Sequence, residues 1–458
     1  MDSDTIAAAA TAMTDSGIGI VRISGDDAFS VLERVFRPKN ENKRMKDQPA
    51  YTVHYGTIYD GEEMLDEVLV LFMRAPHSYT KEDTVEIDCH GGVFVMRRIL
   101  ETVVKNGARY AQPGEFTKRA FLNGRIDLSQ AEAVMDLIQA RNQLSMKNSL
   151  SQLKGSIQKK IRELREKILY EMAFLESALD DPEHISLEGY SEKLSVILQG
   201  LLCEIEDLLR TSENGRFLKE GIKTVILGKP NAGKSSLLNV LLGEERAIVT
   251  DIAGTTRDIL EEQLQLPGVS LNILDTAGIR FTDDPVERIG VLRARQQAEN
   301  ADLLLYVADS SRSLDESDEE ILALLEGKKA IVLLNKSDLD PVLTEEEMKK
   351  RTSHPVLSIS AKEEMGIREL EACIRELFFQ GEIVSNQDIV ITNLRQKEAL
   401  SSAGESLRMV LRGIEEQMPE DFYSIDLMDA YVSLGRILGE EAGEDLINEI
   451  FGKFCMGK

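Results

Sequence analysis

The chain is short of cysteine, and the few it has do not pair by spacing. Cys89, Cys203, Cys373 and Cys455 are scattered through 458 residues and form no CxxC unit. That excludes a disulfide framework or a cysteine-based zinc cluster, and a reducing, cytoplasmic setting is expected. No stretch approaches the roughly 18 uninterrupted apolar residues of a membrane-spanning helix. The opening "MDSDTIAAAATAM" has acids where a secretory leader has positive charge, so no export signal is expected. Positive charge is also scarce. Lys and Arg number 54 against 80 Asp and Glu, a net charge of −26. Such a chain does not coat nucleic acid non-specifically. Any RNA it handles must meet a local basic face or a more basic partner. What is present, 42% hydrophobic and 29% charged residues, fits a soluble globular protein of two to four domains.

The strongest positive signal is "TVILGKPNAGKSSLLNVLLG". An apolar run, Thr224 to Leu227, leads into a GxxxxGK[ST] loop from Gly228 to Ser235 and then a helical pattern. Strand, loop and helix are the context a phosphate-binding loop requires. Its glycines let backbone N–H groups turn inward around phosphate oxygens, and the helix N-terminus adds its positive dipole end. Lys234 is placed to reach the β/γ-phosphates, and Ser235 to offer a hydroxyl to Mg²⁺. "LNILDTAG" ends a second apolar strand; there Asp275 can hold Mg²⁺ through water and the Gly278 N–H can meet a γ-phosphate. "AIVLLNKSD" ends in Asn335, Lys336, Ser337 and Asp338. The Asp338 carboxylate can accept from the guanine ring N–H and amino group together, an edge adenine does not present. Ser360, Ala361 and Lys362 follow the last strand in "VLSISAK" and finish the base pocket. Four motifs at the C-terminal ends of strands fit the ligand crevice of a doubly wound sheet, a GTPase domain over about 217–380. In the switch segment "TDIAGTTRD", Thr256 is the second hydroxyl ligand for Mg²⁺. Ile279 follows DTAG where small signalling GTPases carry a water-orienting Gln, so another group must orient water. From spacing alone, Glu287 and Arg288 in "DDPVERIG" read as surface charge.

The flanks have different periods. Leu153, Ile157, Ile161, Leu164, Ile168, Met172, Leu175 and Leu179 recur at threes and fours, a coiled-coil-like seam on a long helix within a helical stretch from about Leu128 to Arg210. Its basic segment "KGSIQKKIRELREK" reads as a solvated face or an RNA-facing patch. A second helical pattern runs from about Asn393 to Phe454, so the GTPase region interrupts a helical domain. In the tail, Leu446, Ile450 and Phe454 mark one helix face. Residues 1 to about 118 read as short strands, "GIGIVRISG", "YTVHYGTIYD", "EVLVLFMRAP" and "DTVEIDCHGG". His90, Gly91 and Gly92 are expected to form a tight turn rather than a catalytic site. Arg22 and Glu86, charges within apolar strand patterns, are expected to pair.

These pieces together resemble the MnmE (TrmE) family of tRNA-modification GTPases. The resemblance rests on "IVRISG", "RYAQPGEFTKRAFLNGRIDLSQAEAV", "GKPNAGKSS", "TDIAGTTRD", "DTAGIR" and the ending "FCMGK", and it covers the whole chain. The usual ending has Ile where Met456 stands. The resemblance implies a multidomain α/β architecture: an N-terminal α+β folate-binding and dimerisation domain (1–118) and a helical domain (119–216 and 381–458) interrupted by a Ras-like GTPase (217–380). It implies GTP hydrolysis and a homodimer that works with the flavoprotein MnmG (GidA), which brings FAD and NADH, in a heterotetramer or larger complex. Together they would add an aminomethyl or carboxymethylaminomethyl group to the 5-position of the wobble uridine of certain tRNAs. The carbon would come from 5,10-methylenetetrahydrofolate, with 5-formyltetrahydrofolate as its analogue. Folate contacts would fall on Arg22, Glu86, Arg125 (often Lys in the family) and Lys458. Cys455 would sit beside the ligand, as a nucleophile or as a packed thiol.

GTP contacts would fall on Asn231, Ala232, Gly233, Lys234, Ser235 and Ser236 in the loop, and on Thr250, Asp251, Ile252, Ala253, Gly254, Thr255 and Thr256 in the switch. Asp275, Thr276, Ala277, Gly278, Asn335, Lys336, Asp338, Ser360, Ala361 and Lys362 would complete them. Mg²⁺ would rest on Ser235 and Thr256. K⁺ would rest on Asn231, Thr250, Ile252 and Thr255, neutralising transition-state charge as an arginine finger does elsewhere. Lys234 and Glu287 would be catalytic, Glu287 orienting water. The chief competing reading is a ribosome-assembly GTPase, an RNA-binding switch that shares the phosphate loop and Ile279 but usually carries an RNA-binding module in place of a folate domain. A free-standing folate enzyme would not need complete guanine motifs.

Overall fold

The computed structural model describes residues 4–40, 44, 47–246, 262–266, 269–274, 298–379 and 389–457. The chain separates into two compact units. One is Met1–Met135 with Gln152–Leu169 and Tyr431–Lys458; the other is Asp136–Ser151 with Tyr170–Ala430.

The first unit opens with β1 (Ile6–Ala9), β2 (Ser16–Ser24), α1 (Ala28–Val35), β3 (Phe36–Pro38), β4 (Thr52–Asp60), β5 (Glu63–Met73), β6 (Thr84–Gly91), α2 (Val93–Lys105), β7 (Arg109–Tyr110) and α3 (Glu115–Leu122). The strands form one sheet in the order β3-β4-β5-β6-β2-β1-β7, antiparallel except where β1 meets β7. Alternation along the strands divides its faces. Val21, Ile23, Val70, Phe72, Val85 and Ile87 are buried with Leu32 of α1 and Ile99 of α2. The cross-strand register puts Arg22, Glu86 and Leu71 in one row of the other face, and Ile20, Asp88, Leu69 and Tyr55 in the next. The expected strands are β2, β4, β5 and β6. His90 belongs to β6 and Gly92 caps α2, so the expected tight turn is instead a strand-to-helix junction. The exposed His90 ring bonds Asp66 at 2.7 Å, an ordinary surface pairing.

Helices α4 (Leu128–Gln139), α5 (Gln143–Leu153), α6 (Ser156–Asp180) and α7 (Tyr190–Glu220) follow. The seam is real on α6: Ile157, Ile161, Leu164, Ile168, Met172 and Leu175 are buried. It is shorter than expected at both ends. Gly155, at φ 89°, ends one helix and starts the next, so Leu153 belongs to α5. Beyond Leu175 the buried position is Ala178, and Leu179 is 41% exposed. A straight helix of 3.6 residues per turn drifts off a heptad seam in this way.

The second unit contains β8 (Ile222–Leu227), α8 (Lys234–Arg246), β9 (Glu262–Leu266), β10 (Val269–Ile273), β11 (Leu303–Asp309), α9 (Glu316–Leu324), β12 (Ala330–Asn335), α10 (Glu345–Lys349), β13 (Val356–Ser358) and α11 (Ile367–Phe379). The sheet runs β13-β12-β11-β8-β10-β9, with only β9 and β10 antiparallel. Both of its faces are covered: Ile226, Ile273, Leu305 and Leu333 on one, Val225, Leu304, Tyr306 and Leu334 on the other. That explains apolar runs without alternation. The order is that of a Ras-like doubly wound sheet, and helices resume after it: α12 (Leu394–Glu415), α13 (Asp421–Leu438) and α14 (Glu444–Gly452).

The tail corrects one expectation by a single residue. α14 stops at Gly452, and Ile447 and Phe451 are its buried side chains. Phe454 joins them from the turn beyond the helix, Ile450 packs at the edge, and Leu446 is 39% exposed. No helix among the described residues is long and apolar enough to cross a membrane.

Candidate functional site

In the second unit the phosphate loop lies between the buried end of β8 and the first turn of α8. Its glycines are required by space. A Cβ on Gly228 (φ 147°) would stand 2.3 Å from the Val307 carbonyl oxygen, and one on Gly233 (φ 97°) 2.0 Å from Asn335 Nδ2. Asn231 holds φ 62°, a left-handed conformation that asparagine tolerates better than most residues. Lys234 Nζ donates to the carbonyls of Gly228 at 2.6 Å and Lys229 at 2.7 Å. Burial lowers its pKa. An enclosed ammonium held by a loop of inward-turned amides suits an anionic ligand. Ser235 and Ser236 follow in the first turn of α8, where a hydroxyl can reach a cation on the phosphates.

The guanine-side motifs are tied to this loop through Asn335. Its Nδ2 donates to Ala232 O at 2.8 Å, and its Oδ1 accepts from Ala361 N at 3.0 Å. One side chain thus fixes the phosphate loop, the end of β12 and the Ser360–Lys362 segment. Ser360 Oγ donates to Asp338 Oδ1 at 2.6 Å, and this bond lowers the Asp338 pKa, keeping it an acceptor. Lys336, at φ 66°, reaches Asp309 Oδ2 at 2.5 Å; Lys362 is exposed beside Glu363. Burial tends to raise the Asp309 carboxyl, but the bonds from Lys336 and Ser311 outweigh it and hold it low. The sequence gave no hint of a further clamp. Lys229 Nζ lies 2.6 Å from both Asp315 and Asp318, and Asp318 accepts from the buried Tyr306 hydroxyl at 2.7 Å. Thr250, Asp251, Ile252, Ala253, Gly254, Thr255, Thr256, Asp275, Thr276, Ala277, Gly278, Ile279, Glu287 and Arg288 lie outside the described residues.

The first unit gathers the other predicted set. Arg22 and Glu86 are direct cross-strand partners, and Arg22 Nε and Nη2 each stand 2.7 Å from Glu86 Oε1. Arg22 Nη1 donates to the carbonyl of Gly457 at 3.1 Å, linking β2 to the tail. The Tyr79 ring joins Arg125 to this group: the Arg125 guanidinium is 4.7 Å from its centroid and that of Arg22 5.9 Å. Asp88, one row along from Glu86, has its pKa raised by burial and by the Glu86 charge.

The tail is seated by its glycine. Gly457 holds φ 80°, and a Cβ there would stand 2.1 Å from Ala9 O. Gly114 N donates to Cys455 O at 3.3 Å, while the Cys455 side chain and Met456 are exposed. Lys458 lies outside the described residues. Cys89, by contrast, is buried under the sheet, and burial pushes its thiol up to about 11.

Tyr79 and a polar network behind it went unseen in the sequence. Arg119 meets Asp4 (2.7 Å), Glu82 (3.2 Å) and Glu115 (3.2 Å), and Ser24 donates to Glu82 at 2.7 Å. These residues come from four separate segments, so no local spacing announces them. The only signal was the density of charge in "RYAQPGEFTKR".

Comparison with known proteins assigns the whole chain. A model of the TrmE N-terminus, described as that of a GTP-binding protein, matches residues 5–125, and one of the MnmE helical domain matches residues 128–455. The tRNA modification GTPase MnmE of Lachnoclostridium phytofermentans is 57% identical over 458 residues, covering 100% of both chains. Those of Thermoanaerobacter pseudethanolicus and Clostridioides difficile are each 48% identical, over 99% of both chains. With one model spanning more than half of the chain and relatives matching from end to end, the chain belongs to the MnmE (TrmE) family of tRNA modification GTPases.

Proposed function

We propose that this chain is a K⁺-dependent GTPase of tRNA modification. With MnmG (GidA) it adds an aminomethyl or carboxymethylaminomethyl group to the 5-position of the wobble uridine, using a tetrahydrofolate carbon. The observation that carries the folate half is the convergence of Arg22, Glu86, Arg125 and the chain's own C-terminal segment about Tyr79. A paired Arg and Glu offer a donor and an acceptor edge to a flat heterocycle, and the nearby Arg125 suits a glutamate tail. The tetrahydrofolate would supply the one-carbon unit. The protein's part is to hold it, to orient it between Arg22 and Tyr79, and to cover it with the tail. Lys458 follows Gly457 directly and is assigned to the same ligand; Cys455 is placed beside it. A ribosome-assembly switch has no use for such a site.

For the GTPase half, Lys234 and the Asn231–Ser236 amides hold the phosphates, and Asp338, Ser360 and Asn335 hold guanine. Mg²⁺ would be held by Ser235 and Thr256, and K⁺ by Asn231, Thr250, Ile252 and Thr255. Bound there, the two cations supply charge neutralisation at the phosphates. Glu287 orients the attacking water. The four-part division at residues 118, 216 and 380 is kept as the domain organisation. The exposed Val53, Tyr55 and Leu69 on the same face as Arg22 support a homodimer through the N-terminal sheet. A cytoplasmic location and a complex with MnmG, carrying FAD and NADH, follow from this reading. Nucleoside analysis of tRNA from a deletion strain tests it. Loss of the 5-substituted wobble uridine is expected, and unchanged tRNA with a ribosome-assembly defect would overturn it.

A further inference from the structure

A cavity of about 430 Å³ opens on the first unit beside the proposed folate site. Its walls include Tyr51, His77, Tyr79, Lys81 and Arg125, and none of its lining residues is acidic. In a chain with 80 Asp and Glu, an acid-free hollow with two cations is a local reversal of charge. Lys81 Nζ donates to the carbonyls of Asn123 at 3.0 Å and Gly124 at 3.1 Å, which fixes its position and leaves one N–H direction for a ligand. Arg125 is steadied by the Tyr79 ring rather than by a carboxylate. Tyr51 is 68% exposed, yet its hydroxyl donates to His77 O at 2.8 Å, so the ring is held at the rim with a face free to stack. Met73 and Pro76 supply apolar wall. Tyr51 (φ 59°) and Lys81 (φ 61°) both hold left-handed backbone, which non-glycine residues seldom keep away from functional surfaces.

We infer that this cavity takes one unstacked nucleotide of a single-stranded RNA segment, its base on Tyr51 and its phosphate on Lys81 and Arg125. The inference rests on the tRNA reading above. The cavity offers rings and cations but no carboxylate for a base edge, so it recognises a base face and a phosphate without reading sequence. Arg22 and Glu86, which would hold the folate heterocycle, do not line it. Tyr79 does, and Arg22 lies against Tyr79, so nucleotide and carbon donor would be neighbours.

The test is fluorescence anisotropy of full-length protein with a fluorescein-labelled anticodon stem-loop carrying an unmodified wobble uridine. Tyr51→Ala and Lys81→Gln should each weaken binding about tenfold or more, and Lys81→Gln should lower the slope of log affinity against log salt by about one. Lys81→Arg should restore binding. Affinity for 5-formyltetrahydrofolate and GTP turnover should not change, which also shows that the variants are folded; Tyr51, largely in solvent, serves if the Lys81 variants are not. If the unaltered protein binds the hairpin and both variants bind it equally well, the cavity is excluded while the tRNA reading stands. If folate affinity falls instead, the cavity belongs to the carbon donor and the inference is overturned. If the unaltered protein does not bind the hairpin, the inference falls with the RNA half of that reading.

Discussion

Replacing Gly457 by alanine should separate the tail's role from everything else the protein does. The substitution adds one methyl group, at φ 80°, with its Cβ 2.1 Å from Ala9 O and 2.9 Å from Ala10 Cα. Both neighbours are backbone of the strand end and cannot swing aside, so the tail must move. The left-handed conformation costs alanine about 1 kcal/mol relative to glycine. The bond from the Arg22 guanidinium to Gly457 O, a hydrogen bond to a charged group, is worth about 1.5–3 kcal/mol. Together they put about 2–4 kcal/mol against the docked tail, so 5-formyltetrahydrofolate should bind about 10–100-fold more weakly. Isothermal titration calorimetry measures this. Met456→Ala, at a side chain 61% exposed, is the control and should bind normally. Basal GTP hydrolysis should persist in both, because no nucleotide motif is touched. Normal folate affinity in the Gly457→Ala protein, or an equal loss in Met456→Ala, would refute the seated-tail reasoning.

Four further outcomes are expected. GTP turnover should be much faster in KCl than in NaCl at equal ionic strength, and equal rates would remove the cation role assigned to Asn231. Glu287→Ala should lower kcat while leaving GTP affinity nearly unchanged, as a group acting on water in the transition state must; affinity falling in step would mark Glu287 as structural. Asn335→Ala strands the Ala232 carbonyl and the Ala361 amide, a loss of about 2–4 kcal/mol, so mant-GTP affinity should drop well over tenfold with the helical signal intact. Acid stability should depend on Asp4, whose pKa is lowered first by the hydrogen bond from Arg109. A lowered folded pKa contributes stability that is present above the ordinary value of 3.8 and is lost as pH falls through the folded value. Asp4→Asn should therefore flatten the acid limb of the unfolding curve measured by circular dichroism, and an unchanged limb would contradict the assignment.

What could be read from the sequence follows how local each constraint is. The β8–α8 loop was legible because every part of it, the apolar strand, the two glycines and the helix that follows, lies within some twenty consecutive residues. The alternation of β2 and β6 likewise announced Arg22 and Glu86 as charges that needed a partner, and they found each other across one strand pair. Asn335 was legible as a guanine motif but not as a brace, because its two partners are 103 and 26 residues away. Tyr79 was invisible for the same reason. It sits in a polar segment where a tyrosine raises no alarm, and only the fold brings Arg22 and Arg125 to its ring.

The tail shows where periodicity itself falls short. Leu446, Ile450 and Phe454 are four apart, as are Ile447 and Phe451, and a helix of two and a half turns has room for either set. Burial chose the second because the last aromatic is not on the helix at all: the chain leaves α14 at Gly452 and Phe454 reaches the cluster from the following turn. That turn sets the direction of the residues beyond it. It brings the Cys455 carbonyl to Gly114 and the Gly457 carbonyl to Arg22, with a glycine where any side chain would strike Ala9. The five residues of "FCMGK" therefore divide their tasks physically: Phe454 anchors, Cys455 and Gly457 dock through backbone, and Met456 faces solvent. A substitution that keeps the hydrophobic anchor but adds a Cβ at Gly457 should be more damaging than one that alters Met456, although the second changes more atoms.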